Sequence, residues 1–472
     1  MTTSPDEPTA SPVMERLGQW LRGLLVKFWI WVVAIMLFVF GIQGSVVVIF
    51  RIMYMVLFLI FTITFQLSYS AWRNFLYGFW LTVIIYQMFV LVLTYTYQFD
   101  NFPAYWENYT GIPKQLQNDM GLEVYDTGRL FIKLMTPTFF VIVTIIQVHY
   151  FHKDFLALSD IEKIPDQPAP KDTRKTDTKV PMPNRPDLLE SCTLDDVKAL
   201  VEYYGQKVLA RIQTAFADAM ELGWRFLELH IMKIVLGSVM MLACYDVCAL
   251  HWAFAVLATV AVPCPERIQT YICRTCVALS SLLLIVRMIY QINYIDPEGW
   301  AANCTDYENS TWPKMNETAN NAVWLGLSKV PSLPKYLKGY IGIIVVITVQ
   351  AVVRIRQQYQ RQLTGLPPPP PGVLFPNVTR AVADDGIPEC SKFLLNYGFY
   401  KFGVEICLMS LVGVIGTRLD IYSLFYAGWL CYFFNRQRKD IARVWQGFVI
   451  SITVLIPLQY LMCVGIPPAL CI

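Results

Sequence analysis

Four histidines and twelve cysteines are the residues here that could bind a soft metal or supply a nucleophile. His149, His152, His230 and His251 stand apart in the chain, and no histidine, cysteine and carboxylate set has the spacing of a zinc site. No nucleophile, base and metal constellation is present, so the chain reads as a non-enzyme with no catalytic residue, metal or cofactor. Cys273-Arg-Thr-Cys276 is a CxxC, but it lies inside a long apolar run rather than beside a strand. With Cys244, Cys248, Cys407 and Cys431 it reads as buried free thiol. Ionisable groups within apolar runs are the other candidates for chemistry. Arg51, Lys233, Arg274, Arg287 and Arg418 fall within about two turns of a run's end, where a long basic side chain reaches the interface. Asp246 stands near an outer end and reaches water, and Glu405 has Lys401 one turn before it as an i,i+4 partner. No matched mid-span carboxylates suggest a transporter, and no polar stripe or carboxylate ring suggests a pore in this chain.

The elements that carry these residues are membrane helices. Of 472 residues, 55% are hydrophobic and only 15% charged, against about 25% charged in soluble domains. Mean hydropathy is +0.44. A net charge of +3 is too small for a phosphate-neutralising surface, which excludes nucleic acid as a partner. Apolar stretches near the 20 residues of a spanning helix occur at 24–43, 47–68, 76–97 and 130–150, then at 231–249, 250–264, 269–292 and 337–353, then at 402–417, 419–434 and 444–465. The stretches 250–264 and 419–434 are short for a span. Residues 1–18 are acidic and proline-containing with no basic segment, so the first stretch reads as a spanning helix and not a cleaved leader.

Basic residues close to span ends set the orientation. Arg73, Arg267 and the cluster Arg436, Arg438, Lys439 and Arg443 place the turns after the second, sixth and tenth stretches in the cytoplasm. The loops 98–128 and 293–336 are then external, and they hold the glycosylation candidates Asn108, Asn303, Asn309 and Asn316. A fifth sequon, at Asn377, falls on the cytosolic side and reads as unused. Each group repeats one plan: two spans, a basic turn, a third span ending in an outer loop, and a fourth returning. Tyr97-Gln98, Tyr290-Gln291 and Gln459-Tyr460 stand at the outer ends of the third spans. The third group lacks its fourth helix, an array that looks cut in mid-unit.

Two polar linkers separate the groups, the second carrying Pro367 to Pro371 as an extended spacer. Each leads into an amphipathic stretch. Leu194, Val197, Val201, Tyr204, Val208, Ile212 and Phe216 recur at helical spacing after a Thr193 to Asp196 capping signal, and the face they make suits the cytosolic interface of a bilayer. Phe393, Leu394, Tyr397, Phe399 and Tyr400 form a shorter counterpart. The fold class is therefore an all-α polytopic membrane protein of repeated four-helix transmembrane units with cytosolic amphipathic linker helices. Its parts are a polar segment (1–23), a first unit (24–152), a linker with amphipathic helix (153–230), a second unit (231–355), a proline-rich linker (356–401) and an incomplete third unit (402–472).

Several long, irregular strings resemble the Piezo mechanosensitive cation channels: YTYQFDNFPAYWENYTGI at 95–112, HYFHKDFLALSDIE at 149–162, LELHIMKIV at 227–235, NYGFYKFGVEIC at 396–407, then RQRKDIARVW and the final IPPALCI. The resemblance runs from about residue 20 to the last. It implies a plasma-membrane homotrimer of long chains whose peripheral blades consist of four-helix units joined by amphipathic helices, with the pore far toward the carboxyl terminus. This sequence resembles part of the blade, and none of the family's pore or trimer-forming residues has a counterpart in it. The expected function is tension sensing on behalf of a pore outside this chain, with the bilayer and the rest of a Piezo chain as partners. The alternatives are a truncated, non-conducting scaffold that modulates full-length channels, and a secondary transporter. The amphipathic face is testable directly: replacing Val201, Tyr204 and Val208 together by aspartate should weaken liposome binding of that helix, and unchanged binding in a flotation assay would count against an interfacial role.

Overall fold

A computed structural model of the chain describes residues 12–44, 46–160, 194–300, 320–364, 373–375, 378–418 and 420–467, without the side chains of 12–17, 194–203, 206 and 364. Among them every long element is an α-helix. This follows from the solvent: a bilayer core offers no water to unpaired N–H and C=O groups, and a helix pairs them internally. The helices are α1 (Pro12–Ile42), α2 (Ile49–Leu67), α3 (Tyr69–Thr96), α4 (Phe102–Thr110), α5 (Lys114–Met120), α6 (Thr127–Ile146), α7 (His152–Leu158) and α8 (Leu194–Tyr245). There follow α9 (Ala249–Ala261), α10 (Glu266–Tyr290), α11 (Asn321–Leu325), α12 (Leu333–Thr364), α13 (Ile387–Thr417), α14 (Ile421–Phe434) and α15 (Arg438–Val464). A five-residue π turn, Gln147–Phe151, joins α6 to α7. Nine helices among the described residues are long and apolar enough to cross a membrane. The two stretches that looked short form α9 and α14, of 13 and 14 residues. At 1.5 Å per residue these reach about 20 Å, less than the roughly 30 Å hydrocarbon thickness.

Two compact units result. One comprises residues 1–160, 234–351 and 449–472, the other 161–233 and 352–448. In the first, α1 lies along α2 and α3 along α6, and α2 also packs on α10. Its core is aromatic. Phe61 is 2% exposed and meets Trp72, Phe79 and Trp80 at centroid distances of 5.4, 5.4 and 5.5 Å, with Trp31 edge-on at 6.1 Å. Ser68 alone separates α2 from α3, and its hydroxyl accepts from the Ala71 amide as an N-cap. Arg73 in the first turn of α3 then binds the far end of α7, donating to the Leu156 carbonyl at 3.0 Å and pairing with Asp160 at 3.2 Å. A cation there also complements the negative end of the helix dipole.

Threonines inside the helices satisfy themselves. Thr62, Thr94, Thr144, Thr259, Thr348 and Thr453 each donate to the carbonyl four residues back, which removes the cost of a bare hydroxyl in lipid.

In the second unit, Trp429, Phe433, Trp445 and Phe448 make an aromatic cluster, with Phe433 and Phe448 at 5.0 Å. Arg356 lies over the Trp224 ring at 4.5 Å and reaches Glu228 at 4.0 Å. Asn396, 4% exposed, accepts from the amides of Leu374 and Phe375 and donates to the Phe375 carbonyl, which holds that segment on α13. Glu405 does not take Lys401 as its partner. Arg438 pairs with it instead and also donates to the Lys401 carbonyl at 3.2 Å, because the turn before α15 brings a guanidinium fork onto both acceptors.

The amphipathic stretches are not separate helices. The first is continuous with the following span in the 52-residue α8, and the second with its span in the 31-residue α13, since no proline interrupts either junction and the glycines there, Gly223 and Gly403, stay helical. The aromatic core gives a direct test. Phe61→Ala should cost about 4 kcal/mol through the cavity it leaves, and Ile60→Ala, at an exposed position, no more than about 0.5 kcal/mol, as read by unfolding of the chain in bicelles.

Candidate functional site

Where the third helix of each of the first two groups ends, one glutamine clasps the returning chain. Gln98 follows α3; its amide nitrogen donates to the Glu123 carbonyl at 2.9 Å and its oxygen accepts from the Tyr125 amide at 2.8 Å. Gln291 follows α10 and does the same to the Ser328 carbonyl at 2.7 Å and the Val330 amide at 3.0 Å. In both cases the side-chain amide bridges residues j and j+2, as a neighbouring strand would, and pairs backbone groups that no helix covers. Each clasped segment starts in the same way. A short helix, α5 or α11, ends at a glycine with positive φ, Gly121 at +102° and Gly326 at +93°, and a buried leucine follows. The amides of Leu122 and Leu327 reach back five residues to the carbonyls of Gln117 and Ala322. That is the Schellman closure, which favours glycine at the left-handed position. A side chain at Gly326 would also meet Cys248 Sγ at 2.5 Å. Tyr97 and Tyr290, each 4% exposed, precede the two glutamines, and the Tyr97 hydroxyl donates to Gln117 at 2.8 Å. The Tyr-Gln pairs at the first two outer ends are thus clasp residues. The Gly-Leu pairs at 121–122 and 326–327 were a second repeat signal in the sequence, hidden by outer loops of unequal length.

The second group adds a charged cluster behind its clasp. Arg287 does not reach the interface: its side chain is 3% exposed and pairs with Asp246 at 2.6 Å. Its guanidinium lies between Tyr336 and Tyr340, 4.4 and 4.9 Å from the ring centroids. Tyr336 in turn donates to the Gly326 carbonyl at 2.7 Å and accepts from the Ser328 amide, so the cation supports the clasp. His251 joins the cluster through Nδ1 to the Asp246 carbonyl and Nε2 to the Tyr340 hydroxyl, both at 2.5 Å. A carbonyl can only accept, so Nδ1 carries the proton and Nε2 accepts from Tyr340.

Three ligand-type side chains that the sequence reading did not group, Asp246, Cys248 and His251, stand within six residues of one another, and their ligand atoms all lie within 4.8 Å. They do not fit a metal. Both imidazole nitrogens are engaged, the carboxylate is held by Arg287, a fixed guanidinium opposes a cation, and burial pushes the Cys248 thiol up and keeps it protonated.

Successive groups meet through one recurring joint. In the first group, α2 packs on α10, and Gln66 donates to the Thr348 hydroxyl at 2.8 Å and the Ile344 carbonyl at 3.3 Å of α12. Arg274 donates to the Leu67 carbonyl at the same end of α2. In the second group, the corresponding α9 meets α15, with Trp252 donating to the Pro457 carbonyl at 3.0 Å and Thr453 to the Thr259 carbonyl at 3.5 Å. Tyr460 closes that joint by donating to the Ala243 carbonyl at the end of α8 and accepting from the Cys248 amide. The second helix of one group therefore meets the third helix of the next, through a packed face in the first case and two hydrogen bonds in the second. At the outer end, Asp119 accepts from the Tyr294 amide at 2.8 Å.

Of the glycosylation candidates, Asn108 is exposed in the last turn of α4, and Asn303, Asn309 and Asn316 lie outside the described residues, as do Asn377 and Pro367 to Pro371. On the amphipathic face, Leu194, Val197 and Val201 belong to α8 but their side chains lie outside the described set, whereas Tyr204, Val208, Ile212 and Phe216 are all more than half exposed. Cys273 and Cys276 are buried free thiols, as is Cys248, but Cys244 and Cys431 are exposed.

Removing one clasp has a predictable effect. Gln291→Ala should lose two hydrogen bonds, about 2 kcal/mol, and accelerate hydrogen exchange at the Val330 amide; Gln291→Glu, which keeps the acceptor, should leave that amide protected.

The family described as Piezo TM1-24 matches residues 1–157. The Piezo-type mechanosensitive ion channel component of Drosophila melanogaster is 36% identical over 490 residues, covering 99% of this chain and 19% of that protein. The component 1 proteins of Rattus norvegicus and Homo sapiens are 32% and 31% identical, each over 100% of this chain and 20% of their own length. The chain spans about a fifth of the length of the curated relatives it matches. Likeness that covers 99–100% of this chain makes it a multi-pass membrane protein of the Piezo family.

Proposed function

We propose that the chain is a blade segment of a Piezo-type mechanosensitive cation channel, which senses membrane tension and passes it to a pore outside this chain in a homotrimer. The observation that carries this reading is the recurrence of the joint: α2 packs on α10 with Arg274 bonding the Leu67 carbonyl, and α9 meets α15 through Trp252 and Thr453. The first group is a stiff body, because its aromatic core leaves little room for side-chain adjustment, and the second packs a close aliphatic core. Between groups the named contacts are a few hydrogen bonds and a packed helix face, which can tilt at low cost. Tension that flattens the bilayer then does its work at the joints. Moving a two-state gate from 1:99 to 99:1 needs about 5.5 kcal/mol, which a series of joints can share in fractions. No ligand site is required for this.

The proposal is tested by replacing the matching stretch of the Drosophila relative with this chain and recording pressure-clamped currents. The chimera should respond to stretch, and Gln66→Leu together with Trp252→Phe should shift the half-activating pressure by loosening two joints. A chimera at the cell surface whose pressure response is unchanged by both substitutions would refute a transmitting role for the joints.

A further inference from the structure

Two clefts occupy the same place in two successive groups. The first, about 480 Å³, lies between the α1–α2 turn, the clasped segment and the start of α6; the second, about 560 Å³, lies between the α8–α9 turn, its clasped segment and the start of α12. Each is lined by one arginine, one carboxylate and one lysine: Arg51, Glu123 and Lys133 in the first, Arg287, Asp246 and Lys335 in the second.

Their charge balance is the same. Asp246 neutralises Arg287 at 2.6 Å, and Arg51, which donates to the Val46 carbonyl at 2.5 Å, has Glu123 as its charge partner across the cleft. Tyr125 adds no charge, since burial and then Glu123 push its phenol up to about 12. The lysines remain. Lys335 makes no ion pair among the described residues, and Lys133 only overlies the Tyr125 ring at 5.5 Å. Arg287 also has an Nε–H that is buried without an acceptor. Each cleft thus carries one uncompensated positive charge. Its carboxylate stands against a doubly charged phosphate monoester and tolerates a single negative charge.

The walls between these polar groups are apolar, from Phe40, Val90 and Ile132 in the first cleft and Leu242, Val323 and Val330 in the second. Beside them lie apolar side chains open to the surroundings, Ile132 and Met135 at one and Met241 and Val323 at the other. A soluble anion has no use for such a flank, whereas acyl chains do.

We propose that the two clefts are a repeated pair of binding sites for the phosphodiester of a glycerophospholipid, held by Lys133 in the first group and Lys335 in the second. The acyl chains lie along the exposed apolar side chains beside each cleft. The lipid would fill the wedge between the clasped segment and the helix-joining turn, one per group.

The test is native mass spectrometry of the full chain, exchanged into a delipidating detergent and supplied with phosphatidylcholine, with diacylglycerol of the same acyl chains, or with soluble glycerophosphocholine as competitor. The expected result is retention of two phosphatidylcholine molecules, with diacylglycerol not retained and glycerophosphocholine unable to displace the lipid. Lys133→Gln and Lys335→Gln should each remove one lipid, with about tenfold weaker binding at the altered cleft, and the double variant should retain none. Both lysines are exposed, so an unchanged melting temperature should accompany the loss, and Lys335→Arg should restore binding. Equal retention of diacylglycerol, displacement by glycerophosphocholine, or two lipids still held by the double variant would each overturn the assignment. The outcome does not depend on whether the chain transmits tension.

Discussion

Everything in this chain follows from the cost of an unpaired backbone group where there is no water. Helices meet that cost along their length, but each helix end and each connecting segment exposes amides and carbonyls that need partners. The polar side chains of the first two groups are concentrated at those places. Gln98 and Gln291 pair the segments that return to the fourth helix, Arg73 takes the carbonyls at the end of α7, and Tyr460 takes the end of α8. In the second unit Asn396 serves the segment at 374–375 in the same manner. Charge within an apolar chain is thereby explained without a conduction path or a catalytic step.

The Arg287 cluster shows how far this economy extends. A guanidinium that is nearly inaccessible costs several kcal/mol unless paired, and here one carboxylate and two ring faces compensate it. In return it braces Tyr336, which holds the glycine turn of the clasp. The first group has no such brace: Arg51 stays nearer the surface and bonds the turn carbonyl of Val46. Two repeats of one plan therefore reach the same clasp with different supports, which is consistent with the clasp as the feature on which both depend.

Repetition also bears on mechanism. On the proposed reading, a small rotation where the second helix of one group meets the third helix of the next is passed on to the following group, and close core packing concentrates bending between groups. A membrane deformation spread over tens of ångströms is matched by an array of such bodies better than by any single site.

Much of this was legible in the residues alone. Apolar runs of about 20 residues disclose the spanning helices, because hydrocarbon thickness sets their length, and the quoted strings disclose the family, because irregular sequence of that length does not recur by chance. The Tyr-Gln pairs were visible as a repeat, but not as clasps, since a clasp depends on which backbone segment returns to the glutamine. Partner choice was beyond the sequence for the same reason. Lys401 stood one turn from Glu405 and lost it to Arg438, 33 residues later, and Arg287 looked able to reach the interface until α8 and α12 enclosed it with Asp246, Tyr336 and Tyr340. Local spacing determines helices, whereas long-range packing decides which charged and amide groups meet, and that choice was made only when the helices came together.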